Sequence, residues 1–357
     1  MNSPRAGSGG HAEDIRPVQW VADSRSILLL DQTTLPLTES TIDCRDVDTL
    51  VDCIQRLVVR GAPALGVVGA YGVALAMAQA ERDGWDSAQL ESAVTAIRDA
   101  RPTAVNLAWG VDRVKPLMGQ GFDAVVEAGH RVAEEDEAAN RELSRHGADW
   151  LLATLGDRPL RALTHCNTGS LATSTWGTAL GIIRELNARG RIEHVIADET
   201  RPLLQGARLT AWELYHDGIS YQVQSDGAAA STILRGLVDF AVIGADRIAA
   251  NGDTANKIGS LSVALACKEA GIPFVVAAPS STVDLSFANG DDIEIELRPS
   301  EEVTRLAGVQ VTPELNKGFN PAFDVTPARF VSAVVTEMGV AQPMNGENVE
   351  GLVPREH

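Results

Sequence analysis

From about residue 160 onward, short apolar segments alternate with stretches of helical periodicity, and this alternation constrains the fold more than any other feature. The apolar segments are RALTHC, HVIADE, SYQVQS, FAVIGAD and PFVVAAP, and helical patterns occupy the intervals at about 175–188, 206–216, 227–236 and 258–270. Strands that alternate with helices in this way form parallel sheets covered by helices. The sequence therefore predicts an α/β fold whose C-terminal part, residues 156–345, is a Rossmann-like doubly wound parallel sheet.

Residues 15–155 carry a different, mainly helical pattern. Two strand-like runs around residues 23–26 predict a small β-hairpin. Helices are expected over about 47–59, 65–80, 86–99, 104–117 and 121–154. The chain is thus predicted to consist of a disordered tail (1–14), a mainly helical N-terminal domain (15–155), the sheet domain (156–345) and a C-terminal tail (346–357).

Charge, cysteine content and hydropathy limit the classes of partner. A formal net charge of −18 disfavours nucleic acid, because phosphate backbones bind basic surfaces. Four widely spaced cysteines indicate reduced thiols rather than a disulfide scaffold. No apolar run approaches the roughly 20 residues of a membrane span, and the N-terminus lacks a signal peptide. We therefore expect a cytoplasmic protein that binds neither nucleic acid nor membranes.

Polar residues collect where the predicted strands end. The tips are Thr164-His165-Cys166, Asp198-Glu199-Thr200-Arg201, Ser225-Asp226 and Gly244-Ala245-Asp246. Ligands of open α/β sheets bind at the carboxyl ends of the strands, where the strand order reverses. In the common order 3-2-1-4-5 the first and fourth strands are neighbours, so Cys166 and Asp246 would face each other across the binding crevice.

Cys166 admits three interpretations: a reactive thiol, a metal ligand or a packing residue. Its place at a polar strand tip favours function, whereas Cys44, Cys53 and Cys267 are interpreted as inert. One adjacent histidine, His165, does not supply the three or four ligands of a zinc site, so no metal is expected and His165 is interpreted as structural. A nicotinamide cofactor is disfavoured because CNTGSLAT is not the G-x-G-x-x-G fingerprint.

Three cationic residues lie at predicted loop-to-helix junctions: Arg60 in RGAP, Arg101 in RPTAV and Lys257 in TANKIGS. Free backbone N–H groups and the helix dipole favour negative charge at such positions. The three residues together indicate an anionic ligand such as a phosphate ester.

Several long motifs resemble the methylthioribose-1-phosphate isomerases, whose fold is shared by ribose-1,5-bisphosphate isomerases and by the regulatory subunits of translation initiation factor 2B. They are RGAPALG (60–66), RPTAVNL (101–107), THCNTGSLAT (164–173), ETRPLLQGARLTAWEL (199–214), GADRIAANGDTANKIGS (244–260) and NPAFDVTP (320–327). The resemblance implies that a homodimer isomerises 5-methylthioribose 1-phosphate to 5-methylthioribulose 1-phosphate in methionine salvage, without a cofactor. The catalytic residues that it implies are Cys166 and Asp246. The substrate-binding residues that it implies are Arg60, Gly61, Ala62, Arg101, Gln205, Asn256 and Lys257.

Two departures from the family pattern leave alternatives open. Ser170 stands where alanine is usual, and Ser225-Asp226-Gly227 replaces a more usual Asp followed by Asn or Ser. The second departure bears on substrate choice, so a sister isomerase acting on 5-deoxyribose 1-phosphate or ribose 1,5-bisphosphate is the first alternative. A non-catalytic regulatory subunit that senses sugar phosphates or nucleotides is the next, and an NAD-dependent dehydrogenase is the last.

The chemistry implied by the resemblance makes demands on two pKa values. The ring must open while O1 stays phosphorylated, and hydrogen then moves from C2 to C1 either as a proton or as a hydride. Enclosure by apolar walls is expected to raise the pKa of Asp246, which suits an acid at the ring oxygen. A following helix N-terminus is expected to lower the pKa of Cys166 and make it a base at C2.

Overall fold

The computed structural model of the protein describes residues 15–102 and 104–354. Residues 1–14, predicted to be a disordered tail, lie outside the described residues. The described chain has a mainly helical N-terminal part and a C-terminal part built on a parallel sheet, so the predicted fold class is confirmed.

A three-stranded antiparallel sheet begins the N-terminal part. Its strands are β1 (Val18–Val21), β2 (Ser26–Leu30) and β3 (Thr41–Cys44). The predicted hairpin is confirmed, because β1 pairs antiparallel with β2. The sequence does not predict β3, since only one of its four residues is buried and the alternation is too short to recognise.

Five helices complete this part. They are α1 (Val47–Gln55), α2 (Ala62–Asp83), α3 (Ser87–Arg98), α4 (Val105–Val114) and α5 (Phe122–Leu155). Helices α2 and α4 pack backbone against backbone: a Cβ on Gly110 would lie 2.0 Å from the carbonyl oxygen of Gly66. A Cβ on Gly69 would lie 2.4 Å from the carbonyl oxygen of Leu107. Close helix packing therefore explains the glycine series of α2, as the helical pattern predicts.

Helix α2 has 22 residues and a mean hydropathy of 1.4 over its most apolar window, which is enough to cross a membrane. The expectation that no apolar segment approaches this length is therefore wrong. Of that window, 78% is buried inside the protein, and the side chains of α2 form the centre of the N-terminal core. Burial against the other helices accounts for its apolar composition.

The C-terminal part contains the remaining elements in the following order: β4 (Leu160–Thr164), α6 (Ala179–Ala188), β5 (Ile192–Asp198), α7 (Ala211–His216), β6 (Tyr221–Gln224), α8 (Ala229–Leu234), β7 (Phe240–Ile243), β8 (Arg247–Ala249), β9 (Thr254–Lys257), α9 (Ser260–Ala270), β10 (Phe274–Ala277), β11 (Val283–Asp284), α10 (Glu301–Thr304), β12 (Arg305–Leu306), β13 (Val309–Gln310), β14 (Phe323–Thr326), β15 (Ala333–Thr336) and β16 (Gly339–Ala341).

Seven of these strands form the main sheet in the order β6-β5-β4-β7-β10-β15-β16. All neighbours pair in parallel except β16, which is antiparallel to β15. The first five strands of this sheet along the chain, β4, β5, β6, β7 and β10, therefore have the predicted order 3-2-1-4-5. The order reverses between β4 and β7, which is where ligands of such sheets bind.

A second sheet, with the order β11-β8-β9-β14, lies beyond the end of β7. The sequence does not predict it, because its strands have only two to four residues each. It matters for the site because β9 carries Asn256 and Lys257, which sequence patterns place at the entrance of a helix.

The predicted domain boundary at residues 155 and 156 falls in the loop between α5 and β4. The boundaries themselves stay a prediction. Residues 346–354 of the predicted C-terminal tail lie against the sheet domain, where Val349 and Leu352 are buried in the same core cluster as β7 and β10.

Candidate active site

Cys166 and Asp246 follow the two adjacent strands at which the strand order reverses. Cys166 comes two positions after the last residue of β4, and Asp246 comes three positions after the last residue of β7. The carboxylate of Asp246 lies near enough to raise the pKa of the Cys166 thiol, and Lys257 and Arg60 act on both groups. The carboxyl edge of the sheet thus brings together a thiol, a carboxyl group and cations.

The backbone of Cys166 has an unusual conformation. Its φ is 65°, in the left-handed region that non-glycine residues seldom occupy. Its N–H donates to Oγ1 of Thr200 (2.8 Å), and its carbonyl oxygen accepts a hydrogen bond from Oγ1 of Thr210 (2.6 Å). Two threonine hydroxyls therefore hold the peptide groups on both sides of the thiol.

Burial raises the pKa of the Cys166 thiol, and Lys257 and Arg60 oppose this rise only in part. The next α-helix along the chain begins at Ala179, after a long loop, so the helix that follows Cys166 does not begin beside the thiol. The expectation that a helix lowers this pKa is therefore wrong, and the neutral thiol is favoured in the ligand-free protein.

The side chain of Asp246 is exposed by its surface area, although protein atoms crowd around its carboxyl group. Burial raises its pKa, against the influence of Lys257, Arg101 and Arg60. Glu296 raises it further. The expected direction of this pKa is therefore confirmed.

The three predicted cations surround this pair without carboxylate partners. Within residues 15–102 and 104–354, no carboxylate forms an ion pair with Arg60, Arg101 or Lys257. Burial is the main cause that lowers the pKa of each, to about 10 for Arg60. Nζ of Lys257 donates to the carbonyl oxygen of Ala322 (3.1 Å) and lies 4.4 Å from the ring centre of Phe323. Half-buried cations that lack an anionic partner are suited to bind an anion from solution.

Gln205 and Arg60 contact each other. When Nε2 of Gln205 donates to the carbonyl oxygen of Thr200 (3.2 Å), its Oε1 accepts from Nη2 of Arg60 (2.5 Å). Gln205 is buried and begins a π-helical turn over residues 206–210, which continues into α7. This segment therefore brings Arg60 of the N-terminal part next to the tip of β5.

Gly61 and Ala62 lie at the N-terminus of α2, directly after Arg60. Gly61 has φ of 98°, and a Cβ there would lie 2.3 Å from the carbonyl oxygen of Ala172. Only glycine permits this contact with the loop that follows Cys166. The N–H of Ala62 is one of the free donors of the helix N-terminus, which suits a phosphate group.

Asn256 is buried on β9, one position before Lys257, and its Nδ2 donates to Oγ of Ser260 (2.9 Å). Its Oδ1 remains available for a hydroxyl of a ligand. Asp246 and β9 are also linked directly, because the N–H of Asp246 donates to the carbonyl oxygen of Ala255 (2.9 Å).

His165 is fully buried and both of its ring nitrogens are hydrogen-bonded. Nδ1 lies 3.0 Å from Oδ2 of Asp198, and Nε2 lies 2.9 Å from the carbonyl oxygen of Ile258. Burial, the largest single influence, opposes a charge on this ring, but Asp198, Asp226 and the carbonyl group of Ile258 together outweigh it and raise the pKa. His165 thus ties the tips of β4 and β5 to the segment after β9.

Asp226, in the tripeptide that departs from the family pattern, does not bring a free carboxylate to the crevice. Oδ1 accepts the N–H of Thr200 (2.8 Å) and Oδ2 accepts the N–H of Arg201 (2.7 Å). His165, Asp198 and Asp226 lie close enough together to hold a metal ion. Their ligand atoms, however, already make these hydrogen bonds within the protein.

Sequence reasoning missed Thr200, Thr210 and Arg298. Arg298 influences the pKa values of Arg60, Arg101 and Lys257 and is paired with Glu296 and Glu302. No periodicity marks the segment around Arg298. Thr200 belongs to a polar strand tip, which was a usable signal.

Comparison with known proteins gives consistent results. A model of the initiation factor 2 subunit family (IF-2B) matches residues 58–343. The chain is 47% identical over 332 residues to a methylthioribose-1-phosphate isomerase from Gloeobacter violaceus, and the match covers 92% of this chain and 94% of that protein. It is 51% identical over 319 residues to a probable bifunctional methylthioribose-1-phosphate isomerase/methylthioribulose-1-phosphate dehydratase from Nocardia farcinica. That match covers 89% of this chain but only 58% of the bifunctional protein.

Two solved structures share the fold closely. A 5-methylthioribose 1-phosphate isomerase from Pyrococcus horikoshii superposes with a TM-score of 0.84 and 36% identity, over 93% of this chain and 94% of that one. A translation initiation factor eIF-2B subunit delta from A. fulgidus also gives a TM-score of 0.84, with 39% identity, over 95% of this chain and 99% of that one.

Proposed function

The chain belongs to the initiation factor 2 subunit family, and within it we propose that the chain is a methylthioribose-1-phosphate isomerase, which converts 5-methylthioribose 1-phosphate to 5-methylthioribulose 1-phosphate in methionine salvage. The observation that carries this conclusion is the near-complete match, at 47% identity, to a relative of that activity. The pairing of Cys166 and Asp246 at the switch point of the sheet agrees with it.

The regulatory-subunit alternative draws its support from the eIF-2B subunit delta structure, which is as similar in fold as the isomerase structure is. Fold alone therefore does not separate a catalyst from a sensor. The thiol of Cys166 and the carboxyl group of Asp246 both have raised pKa values. They lie near cations that have no carboxylate partner among the described residues. This combination favours a catalyst. A sensor needs only the cations.

We assign phosphate binding to Arg60, Arg101 and Lys257, together with the backbone N–H groups of Gly61 and Ala62 at the start of α2. The three side chains are cationic and lack carboxylate partners among the described residues. Charge-assisted hydrogen bonds to phosphate are among the strongest that proteins make. The phosphate group of the substrate would thus be held between the start of α2 and the carboxyl edge of the main sheet.

Sugar hydroxyls remain for Gln205 and Asn256. Both side chains are buried, and each keeps a polar atom near the crevice: Gln205 through its contact with Arg60, and Asn256 through Oδ1. An amide that loses its hydroxyl partner in a buried site is costly, so these contacts contribute to selection among sugars.

Ring opening breaks the C1–O4 bond, and we assign the proton that O4 needs to Asp246, whose raised pKa suits a donor. The ring-opened intermediate then has an electron-poor C1, and Asp246 is a carboxylate. In the hydride route, hydrogen moves with its electron pair from C2 to C1 while O2 loses its proton.

The neutral thiol of Cys166 can accept the O2 proton while it passes its own proton to the Asp246 carboxylate. Both groups then return to their starting states and no proton is gained or lost overall. The raised pKa of the thiol disfavours the other route, in which a thiolate must remove the proton from C2. We therefore favour hydride transfer.

The location and assembly of the protein are also proposals: a homodimer in the cytoplasm. Strand β6 forms an edge of the main sheet, and Val223 on it is 42% exposed. On the adjoining helix α8 and its following loop, Leu234 and Leu237 are 56% and 41% exposed. An exposed sheet edge beside apolar side chains is suited to a partner subunit, and light scattering on the purified protein measures the mass.

The substrate is tested by steady-state kinetics on 5-methylthioribose 1-phosphate, 5-deoxyribose 1-phosphate and ribose 1,5-bisphosphate in parallel. The highest kcat/KM for the methylthio sugar is expected. A preference for another sugar would keep the reaction but move the protein to a sister activity. Saturable binding of all three without turnover would support the regulatory alternative instead.

A further inference from the structure

The backbone of Cys166 is held from two sides by threonine hydroxyls, as the site geometry shows. Thr200 accepts its N–H and Thr210 donates to its carbonyl oxygen. Cys166 belongs to no helix or strand, so these two bonds are the fixed contacts of its peptide groups. The direction in which the thiol points therefore depends on where the two hydroxyls lie.

Thr200 itself has a φ of 62°, which is rare for a residue branched at Cβ. Its side chain is fully buried, and its hydroxyl donates to the carbonyl oxygen of Asp198 (3.1 Å). That bond uses the hydroxyl proton, which leaves the oxygen free to accept the N–H of Cys166. A strained conformation of this kind persists only where neighbouring groups enforce it.

Asp226 enforces it. Its two carboxylate oxygens accept the N–H groups of Thr200 (2.8 Å) and Arg201 (2.7 Å), which are consecutive in the chain. Two charge-assisted bonds to adjacent peptide groups fix the turn after β5. A chain of contacts thus runs from Asp226 at the tip of β6, through Thr200 at the tip of β5, to Cys166 at the tip of β4.

We propose that Thr200 and Asp226 are positioning residues, which hold Cys166 in its left-handed conformation so that its thiol points into the crevice. Neither side chain acts on the substrate in this account, since the Thr200 hydroxyl and both Asp226 oxygens are used within the protein. The inference rests on the proposed role of Cys166 in the isomerisation. The tripeptide Ser225-Asp226-Gly227, which differs from the family pattern, would then serve to position Cys166 rather than to select the substrate.

Two variants of Thr200 separate positioning from packing. Thr200→Val keeps the shape of the side chain but removes the hydroxyl, whereas Thr200→Ser keeps the hydroxyl and removes only a methyl group. For Thr200→Val we expect kcat to fall about 10- to 100-fold, because a small misplacement of a reacting group has effects of this size. KM should stay within about twofold. Thr200→Ser should recover most of kcat.

A second readout does not require turnover. The rate at which iodoacetamide alkylates Cys166, followed by peptide mass spectrometry, reports the placement of the thiol. The other three cysteines are fully buried and serve as internal references. We expect the Cys166 rate to change at least several-fold in Thr200→Val and in Asp226→Asn, and to return to the wild-type value in Thr200→Ser.

Thr336→Val is the matched control. Thr336 is buried and its hydroxyl accepts a backbone N–H, that of Met338 (3.0 Å), yet β15 is separated from β4 by two strands. This variant should keep the wild-type kcat and alkylation rate. If Thr200→Val does not fold, Thr210→Val and Thr210→Ser form a second pair that tests the other hydroxyl in the same way.

Several results would overturn the proposal. They are a wild-type kcat and alkylation rate in Thr200→Val, equal losses in the valine and serine variants, or a raised KM with unchanged kcat. A different outcome is a wild-type protein that shows no isomerase activity while the alkylation rate of Cys166 still depends on the Thr200 hydroxyl. This result would refute the proposed function but not the positioning of Cys166 by Thr200.

Discussion

The contact between α2 and α4 and the carboxyl edge of the main sheet use buried atoms in opposite ways. Between the helices, glycines let two backbones touch, and no polar side chain is needed. At the sheet edge, Cys166 and Thr200 have left-handed backbones, and Arg60 and Lys257 are half-buried without carboxylate partners among the described residues. One region contributes stability, and the other keeps strained and charged groups that a ligand can use.

The largest expected effect concerns the edge. Asp246→Asn and Cys166→Ser should each reduce kcat about 10²- to 10⁴-fold, the range for loss of an acid–base group. The thermal unfolding midpoint should stay the same or rise, because residues kept for catalysis are commonly retained at some cost in stability. Cys267→Ala is the control and should keep kcat. If Asp246→Asn or Cys166→Ser did not fold, these residues would stabilise the fold. The contrast between a stabilising helix contact and a functional sheet edge would then be wrong.

Lys257→Ala should have the next largest effect, and this effect should be on substrate binding. Loss of a hydrogen bond to a charged group costs about 1.5–3 kcal/mol, so KM should rise about 10- to 100-fold with a small change in kcat. Lys268 is exposed on α9, and Lys268→Ala should leave both constants unchanged. A KM within twofold of the wild-type value for Lys257→Ala would remove this residue from the phosphate site.

Gly110→Ala tests the helix contact. The new Cβ would lie 2.0 Å from the carbonyl oxygen of Gly66, which cannot move aside as a side chain can. Overpacking of this kind typically costs about 1–3 kcal/mol of unfolding free energy, measured by urea titration, while kcat per folded molecule stays the same. Gly119→Ala is the matched change, since nothing lies within 4 Å of its Cβ position. Equal stability of the two variants would contradict backbone-to-backbone packing.

The smallest effect is a pH dependence of stability where α5 contacts the loop after β4. Asp136 of α5 accepts the N–H of Ser174 (2.7 Å), in the loop after β4, and burial raises its pKa to about 6. The folded protein then holds a proton on Asp136 that the unfolded chain has lost. Its contribution to stability is therefore fully present below about pH 4 and is lost as the pH rises through about 6.

Asp136→Asn should flatten this part of the profile of unfolding free energy between pH 4 and 7. An unchanged slope in the variant would place the titration on another group. The value of kcat should not follow the titration of Asp136, because this residue is assigned no contact with the substrate.

The sequence predicts the main sheet and its strand order well, because alternation of strands and helices has few topological solutions. That order places Cys166 and Asp246 after neighbouring strands, so their proximity follows from pattern alone. Arg60 follows from its place at the loop-to-helix junction before α2, whereas Lys257 lies at the end of strand β9.

Other features depend on information that local patterns do not carry. The sheet that holds Asn256 and Lys257 has strands too short for periodicity. The positive φ values of Cys166 and Thr200 have no signature in residue type, because they are enforced by contacts with Thr210 and Asp226 from distant segments. The raised pKa of Cys166 depends on burial and on the long loop before α6, which the expectation of a helix N-terminus ignored.

The most direct test of the account is a proton and phosphorus NMR time course of the purified protein in D₂O with 5-methylthioribose 1-phosphate and no added cofactor. The account predicts that the ketose forms and that its C1 carries no solvent deuterium, because hydrogen moves directly from C2. Ketose with deuterium at C1 would contradict hydride transfer and restore a base at C2. The absence of any ketose would contradict the assignment of Cys166 and Asp246 as an isomerase pair.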